Sequence, residues 1–452
     1  MKSSNQPESE PQLNRRNFLK TTSTAVVGGT LLGGLAIERS AFAAGDDTVK
    51  IALIGCGGRG TGACDQTLRA AGKGVKLIAM GDISKEHLEK SLDSIKESAA
   101  NDKHEDLIDV PEERQFVGWD AYQKAIELAD VVILATPPGI RPIHLEAAVN
   151  AGKNIFSEKP LATDAPGIRK VLAAAKLAKE KNLKVAVGLQ RHHHPAYIET
   201  IKRIQDGDIG EVLSMRCYWN GQRPWQHPRK PGMTEMQYQM MNWYYFTWIC
   251  GDHIVEQHIH NLDVCNWIKG THPVKAYGMG GAQKPRTSDD GEIYDHHAVE
   301  FEYADGTRMF SQCRHMMHCW DSVAEHATGT LGTADMADGG QFLIKGKNPY
   351  QFSQRGHINA WQEEHYPFWD AIRNNKDYNE LEYGAHSTLT AIMGRMSTYS
   401  GKVITWDEAL NSTVNLGPDQ YSWDGKPQPA VGADGLYPMA MPGDPDWLKK
   451  IV

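Results

Sequence analysis

The chain has 452 residues, 40% hydrophobic and 23% charged, with a formal net charge of −8 at pH 7. That length supports two domains with cores of their own, and the acidic balance argues against nucleic acid or an anionic membrane as partner. Seven scattered cysteines without a C-x-x-C pair are no disulfide framework; the odd count leaves at least one free thiol, with one or two bridges still open in an oxidising compartment.

Residues 1–43 read as a secretory signal. Asn14-Arg15-Arg16-Asn17-Phe18-Leu19-Lys20 is basic, Thr21 to Ile37 is uncharged but short and mild, and Ala41-Phe42-Ala43 offers a cleavage site. The paired arginines point to the twin-arginine route, which carries proteins already folded and lets a nucleotide be loaded beforehand. The expectation is a periplasmic or otherwise exported protein, free of the membrane once the signal is removed, whose cofactor stays bound.

An apolar run, Ile51 to Ile54, then breaks into Gly55, Gly57 and Gly60. This G-x-G-x-x-G spacing suits a dinucleotide: the first glycine turns the chain, the second admits a pyrophosphate, and the third lets the following helix pack closely. Lys76 to Met80 reads as a second strand ending at Gly81-Asp82, where a carboxylate can take ribose hydroxyls. Asp82 favours NAD, while Lys85 and Arg59 keep NADP open.

Helices are expected over 86–99, 141–151 and 165–181, and further strands over 131–135, 153–156 and 184–189. The alternation is that of a doubly wound parallel sheet, class α/β. Its carboxyl edge receives the loops Thr136-Pro137-Pro138 and Ser157-Glu158-Lys159-Pro160. A lysine partly withdrawn from water at that edge can exchange a proton with a hydroxyl as hydride leaves its carbon. The expected organisation is a nucleotide domain over 44–188, a second domain over 189–410 and an extended arm over 411–452. Within the second domain a hairpin is expected around Ala304-Asp305-Gly306, helices over 362–375 and 386–401, and a mobile glycine-rich stretch over 278–294.

Glu256, His260 and Asp263 fall at i, i+4 and i+7 and would share one face of a helix, making Glu256 and His260 an acid/base or hydroxyl-binding pair. His253, His258 and His260 also invite a metal reading, but His258 and His260 point to different sides of a helix and no cysteine lies at ligand spacing, so no metal is expected. Trp219, Trp225, Trp243, Tyr244, Tyr245 and Trp248 can form a stacking floor for a sugar. Arg191, Trp243, Tyr245, His258 and Asp263 are the candidate substrate contacts.

Gly55-Cys56-Gly57-Gly58-Arg59-Gly60, Thr136-Pro137-Pro138 with His144, Glu158-Lys159-Pro160 and Glu256-x-x-x-His260-x-x-Asp263 together resemble the Gfo/Idh/MocA oxidoreductases (glucose-fructose oxidoreductase and inositol dehydrogenase among them). The likeness runs from about Lys50 to Leu410, and Glu363-Glu364-His365 with Gly394-Arg395-Met396 is similar to the secreted bacterial branch. The resemblance implies a Rossmann domain followed by an α+β domain with a large open mixed sheet for substrate and oligomer contacts, in a dimer or tetramer. It implies catalytic roles for Lys159 and His260, with Glu256 where the family has aspartate. Cofactor contacts are implied for Gly55, Gly57, Gly58, Arg59, Gly60, Asp82, Thr136, Pro137, His144, Glu158 and Lys159. The implied activity is hydride transfer between NAD(P) and a sugar or cyclitol. Outside the cytoplasm no nicotinamide pool exchanges with the protein, so a redox-neutral NAD-dependent glycosidase is the alternative, and a non-catalytic sugar or nucleotide sensor the third reading.

Overall fold

The computed structural model describes residues 48–451 apart from 284–286, 288, 338–339 and 354–357. The twin-arginine segment lies outside the described residues.

The first layer system alternates strand and helix: β1 (Val49–Ile54), α1 (Gly58–Ala71), β2 (Val75–Asp82), α2 (Lys85–Asp102), β3 (Gln115–Val117), α3 (Ala121–Leu128), β4 (Val131–Leu134), α4 (Arg141–Asn150), β5 (Asn154–Ser157), α5 (Ala165–Glu180) and β6 (Val185–Val187). The strands pair in parallel in the order β3-β2-β1-β4-β5-β6. Every residue of β4 is buried, as expected of a parallel strand covered on both faces. Local chemistry sets the helix starts: Ser84 caps α2 by accepting from His87 N at 3.2 Å, and Asp164 caps α5 by accepting from Gly167 N at 2.8 Å. Strand order reverses between β1 and β4, so the loops after these two strands diverge and leave a crevice at the carboxyl edge.

Beyond α6 (Pro195–Gln205) the chain enters a nine-stranded mixed sheet. It contains β7 (Val212–Gly221), β8 (Lys275–Gly281), β9 (His296–Glu302), β10 (Arg308–His315), β11 (Ser322–Gly329), β12 (Gly332–Ala337), β13 (Phe342–Gly346), β14 (Tyr350–Gln351) and β15 (Ile404–Thr405), in the order β14-β13-β12-β11-β7-β10-β9-β8-β15. The β7/β10 pair is parallel, and β9 and β10 form the expected hairpin. Before β8 come the helices α7 (Glu235–Met241), α8 (Thr247–Cys250), α9 (His253–Glu256) and α10 (Ile259–Lys269). After β14 come α11 (Ala360–Glu363), α12 (His365–Asn374) and α13 (Leu381–Ser400), the last packed between α5 and β8. One apolar core runs from Ile54 and Leu134 through Leu389 to Phe301 and Ile344, so the two sheets are fixed to one another by buried side chains.

Two expectations are corrected here. The helix expected to carry Glu256, His260 and Asp263 is broken: α9 ends at Glu256 and α10 begins at Ile259, with His258 N reaching back to His253 O at 3.2 Å and His260 N to Gln257 O at 3.2 Å. Glu256 and His260 therefore share no helix face. Asp252, at φ +75°, caps the start of α9. Its buried carboxylate accepts from His253 N at 2.5 Å, Tyr294 N at 3.0 Å and Tyr399 Oη at 2.5 Å. The last long helix also starts at Leu381, five residues before the expected His386. All seven cysteines are free, six of them buried.

Candidate active site

The glycines after β1 have the geometry their spacing calls for. Gly55 sits at φ +93°, and a Cβ there would lie 2.6 Å from Ala135 C. A Cβ on Gly60 would overlap Gly55 O, so α1 packs directly on the turn, whereas Gly57 and Gly58 face open space. The free N–H groups of α1 thus open onto the crevice through a floor without side chains, which suits an anionic pyrophosphate.

Asp82 ends β2 beside this turn, its carboxylate accepting from Cys56 N at 2.7 Å and Ser84 N at 2.8 Å. Burial raises its pKa, opposed by these N–H groups. The cations that could have offset it point elsewhere. Lys85 pairs with Glu89 at 3.5 Å on the outer side of α2. Arg59 turns inward to Glu158 Oε1 at 2.5 Å and Glu364 Oε1 at 3.2 Å. Burial opposes the Arg59 charge, but Glu158 and then Glu364 raise its pKa. Burial and the nearby Glu158 charge push the Glu364 carboxyl well above the usual range, against the pull of Arg59, whose one guanidinium serves both carboxyl groups.

The loop after β4 brings Thr136 and Pro137 to the crevice, half-buried. His144 supports this loop from beneath, with Nδ1 3.2 Å from Thr136 Oγ1 and its ring stacked on Tyr122 at 4.1 Å. Burial, helped by Arg141, pushes its pKa down to about 3. Arg141 itself escaped the sequence reading. Its guanidinium donates to Pro160 O and Thr136 O, tying the two crevice loops together while buried near Glu256 and Glu158. Burial pushes its pKa down to about 10, so it stays charged at neutrality. The R-P pair opening α4 was its only sequence signal. Arg141→Met is expected to leave both carbonyls without a donor and to cost about 2–4 kcal/mol, read as a lower urea midpoint with unchanged slope.

Lys159 lies two residues past the end of β5, at the carboxyl edge of the sheet. Its Nζ donates to Glu256 O at 2.7 Å and to Glu256 Oε1 at 3.3 Å, and both side chains are about nine-tenths buried. The Glu256 pKa is raised by burial, against the pull of Lys159 and Arg141, and its Oε2 has no hydrogen-bond partner among the described residues. Glu256 thus holds the lysine and does not orient His260. The His260 ring lies over Trp219 at 5.7 Å, and its buried Nδ1 also lacks a partner among the described residues. Burial, then the cations Lys159, Arg191 and Arg59, depress its pKa well below the ordinary histidine value. An ammonium, an unpaired carboxylate oxygen and a neutral imidazole therefore come together where the sheet's carboxyl edge meets β7.

Several expected substrate contacts are engaged inside the protein. His258 is fully buried, with Nε2 2.7 Å from Ser311 Oγ and Nδ1 3.2 Å from Asn261 Oδ1. Asp263 accepts from Ser387 Oγ at 2.7 Å and meets His192 Nε2 at 2.8 Å. Arg191 is tied to the buried Glu325. Of the six aromatic residues expected to form a floor, Trp219 is the one whose ring meets His260. Trp248 is core, Trp243 packs edge-on against Trp225 at 5.9 Å, and Tyr245 lines a recess shared with Arg223, Asp290 and His315.

Residues 49–189 match the description "Oxidoreductase family, NAD-binding Rossmann fold", and residues 197–335 match "GFO/IDH/MocA C-terminal domain". The chain is 26% identical over 207 residues to an inositol 2-dehydrogenase of Rhizobium meliloti (strain 1021), covering 46% of this chain and 56% of that one. It is 29% identical over 224 residues to an inositol 2-dehydrogenase/D-chiro-inositol 3-dehydrogenase of Halalkalibacterium halodurans, covering 49% and 53%. The matched part thus spans little more than half the length of these relatives. Among solved structures, levoglucosan dehydrogenase in complex with NADH superimposes with a TM-score of 0.64 at 15% identity, covering 79% of this chain and 98% of that one. Scyllo-inositol dehydrogenase from Lactobacillus casei with NAD(H) and scyllo-inositol gives 0.59 at 19%, covering 80% and 99%. These likenesses establish the fold.

Proposed function

Because the chain belongs to the Gfo/Idh/MocA family, we propose that it is an NAD-dependent oxidoreductase acting on a hydroxyl-bearing ring carbon of a sugar or cyclitol, with the cofactor tightly held. The observation that carries this reading is the buried Lys159–Glu256 pair facing His260 at the carboxyl edge of the sheet. NAD, when bound, supplies the hydride acceptor. The residues fit it: Gly57 and Gly58 leave room at the α1 N-terminus, and Asp82 stands at the ribose position without a neighbouring cation to welcome a 2′-phosphate.

Lys159 takes the proton of the substrate hydroxyl and passes one of its own to Glu256 Oε1, 3.3 Å away. Burial has already raised the proton affinity of that carboxylate, so the pair ends as ammonium and neutral carboxyl. His260, neutral, binds the reacting or neighbouring hydroxyl through its imidazole ring. Trp219 offers an apolar face to the ring beside it. We place the enzyme outside the cytoplasm on the strength of residues 1–43, and read it as a homo-oligomer because Met279 and Phe310 stand 79% and 45% exposed on the outer face of the second sheet.

The test is to denature the purified protein and identify the released nucleotide by mass, then to offer inositols and aldoses to the intact protein. We expect NAD in near-stoichiometric amount and NADH absorbance on adding a polyol. Protein that releases no nucleotide and binds no added NADH would end the reading.

A further inference from the structure

Three buried side chains next to the site take no part in the chemistry at Lys159. Tyr244 Oη stands 2.9 Å from His315 Nε2 and 3.2 Å from His253 Nδ1. The outer nitrogens of the two rings face backbone carbonyls: His315 Nδ1 lies 2.7 Å from Gln222 O, and His253 Nε2 lies 3.2 Å from Trp219 O. The imidazole centres are 3.5 Å apart, and His315, at 8% exposure, is the least buried of the three.

Counting hydrogens shows what the arrangement lacks. A carbonyl only accepts, so each histidine carries a hydrogen on its outer nitrogen. In neutral rings both inner nitrogens are then bare, and both face a single phenol that has one hydrogen to give. Four contacts share three hydrogens, and the trio has a place for one proton more. Burial opposes a standing charge there. It pushes the His315 pKa down to about 4, with Arg223 and His297 acting in the same direction against Asp252, and it holds His253 well below the ordinary histidine value. A proton therefore passes through the trio and does not stay.

The trio joins the site to the surface. His253 shares α9 with Glu256, whose buried Oε2 has no hydrogen-bond partner among the described residues. After burial, the Glu256 charge is the strongest influence on the Tyr244 phenol. Trp219, whose carbonyl meets His253, turns its ring to His260. At the far end His315 lines a recess with Arg223, Asp290 and Asp295; its empty volume of about 360 Å³, counted out to open solvent, has room for water. Gln222, beside His315 Nδ1, is exposed.

Resting on the oxidoreductase reading above, we propose that Tyr244 and His315 carry the reaction's proton from the Lys159–Glu256 pair to this recess. Oxidation of a hydroxyl to a carbonyl gives a hydride to NAD and leaves one proton, which ends on the Glu256 carboxyl. A water carries it to the phenol oxygen, the phenol's own hydrogen moves to His315 Nε2, and His315 gives its Nδ1 hydrogen to water in the recess. One proton enters and one leaves, and a half-turn of the His315 ring exchanges its nitrogens and resets it. His253 holds the phenol from the other side. Tyr244 and His315 act through Glu256 and not on the substrate.

The experiment mixes full-length protein carrying its bound NAD with a polyol in weakly buffered solution, and follows NADH absorbance and a pH-indicator dye in the same stopped-flow trace. In the wild type the proton is expected to reach the dye in step with NADH. Tyr244→Phe, which keeps the ring and removes the hydroxyl, and His315→Ala should each delay the proton behind NADH by about tenfold or more. Added imidazole, a small diffusible base, should shorten the delay in His315→Ala and leave that of Tyr244→Phe. A proton that keeps step with NADH in Tyr244→Phe overturns the proposal, even if His315→Ala is unstable. NADH formation slowed as much as proton release overturns it as well. Nitrogen-15 spectra of nucleotide-free wild-type protein check the trio by itself: both histidines should be neutral at neutral pH, with hydrogens on His315 Nδ1 and His253 Nε2, and an imidazolium at either ring overturns the relay. Wild-type protein that holds no nucleotide defeats the oxidoreductase reading, and the relay's task with it.

Discussion

Lys159→Ala is expected to lower the single-turnover rate of NADH formation about a thousandfold while leaving the released NAD content unchanged. The magnitude follows from its place as the proton acceptor, since positioned acid/base groups contribute about 10²–10⁴ in rate. The NAD content should hold because the phosphate cradle is made by Gly57, Gly58 and α1, none of which touches Nζ; the ammonium is bound instead to Glu256 O and Oε1. The substitution also removes the cation that opposes the burial of Glu256, so that carboxyl should take up a proton and no buried charge is stranded. Stability should therefore fall by much less than the rate. Lys159→Arg gives the sharper contrast, because it keeps the charge and still fails to deliver a proton. A Lys159→Ala protein with wild-type turnover would remove the base assignment, and with it the mechanism.

The nucleotide half of the site was legible because its determinants are local. Gly55, Gly57 and Gly60 lie within six residues of one another, and the strand before them ends where the turn begins. Asp82 and Lys159 were legible for the same reason, as residues delivered by the ends of apolar runs. What sequence did not disclose depends on partners far along the chain. Glu256 and His260 fall on separate short helices, and the carboxylate of Asp252 that caps the first of them is held by Tyr294 and Tyr399, 42 and 147 residues away; no period within 251–263 carries that information. His258 looked available until Ser311, 53 residues on, was found against its ring. Arg141 reads as an ordinary first-turn residue until its side chain is seen bridging Thr136 and Pro160.

The neutral state of His260 leads to the second large effect. Its folded pKa is depressed, by burial first and then by Lys159, Arg191 and Arg59, so the imidazole stays uncharged well below the ordinary histidine value of about 6.5. A hydroxyl bound to the ring therefore meets the same partner across the neutral range. The kcat/KM profile of the wild-type enzyme should show no limb near pH 6.5 that vanishes in His260→Ala, while that variant should lose about a hundredfold in kcat/KM at every pH through the missing hydrogen bond and the misplaced ring. The same depression fixes the sign of a stability effect. The unfolded chain binds a proton at this residue below about pH 6.5 and the folded chain does not, so the contribution of His260 is present above that pH and is lost as pH falls toward the folded value, by about 1.4 kcal/mol per unit. His260→Ala should accordingly flatten the acid side of the unfolding curve by that slope, measured by urea titration from pH 6.5 downward. An acid limb in kcat/KM that belongs to His260, together with an unchanged stability slope, would show the imidazole charged in the folded protein and overturn its role as a neutral hydroxyl partner.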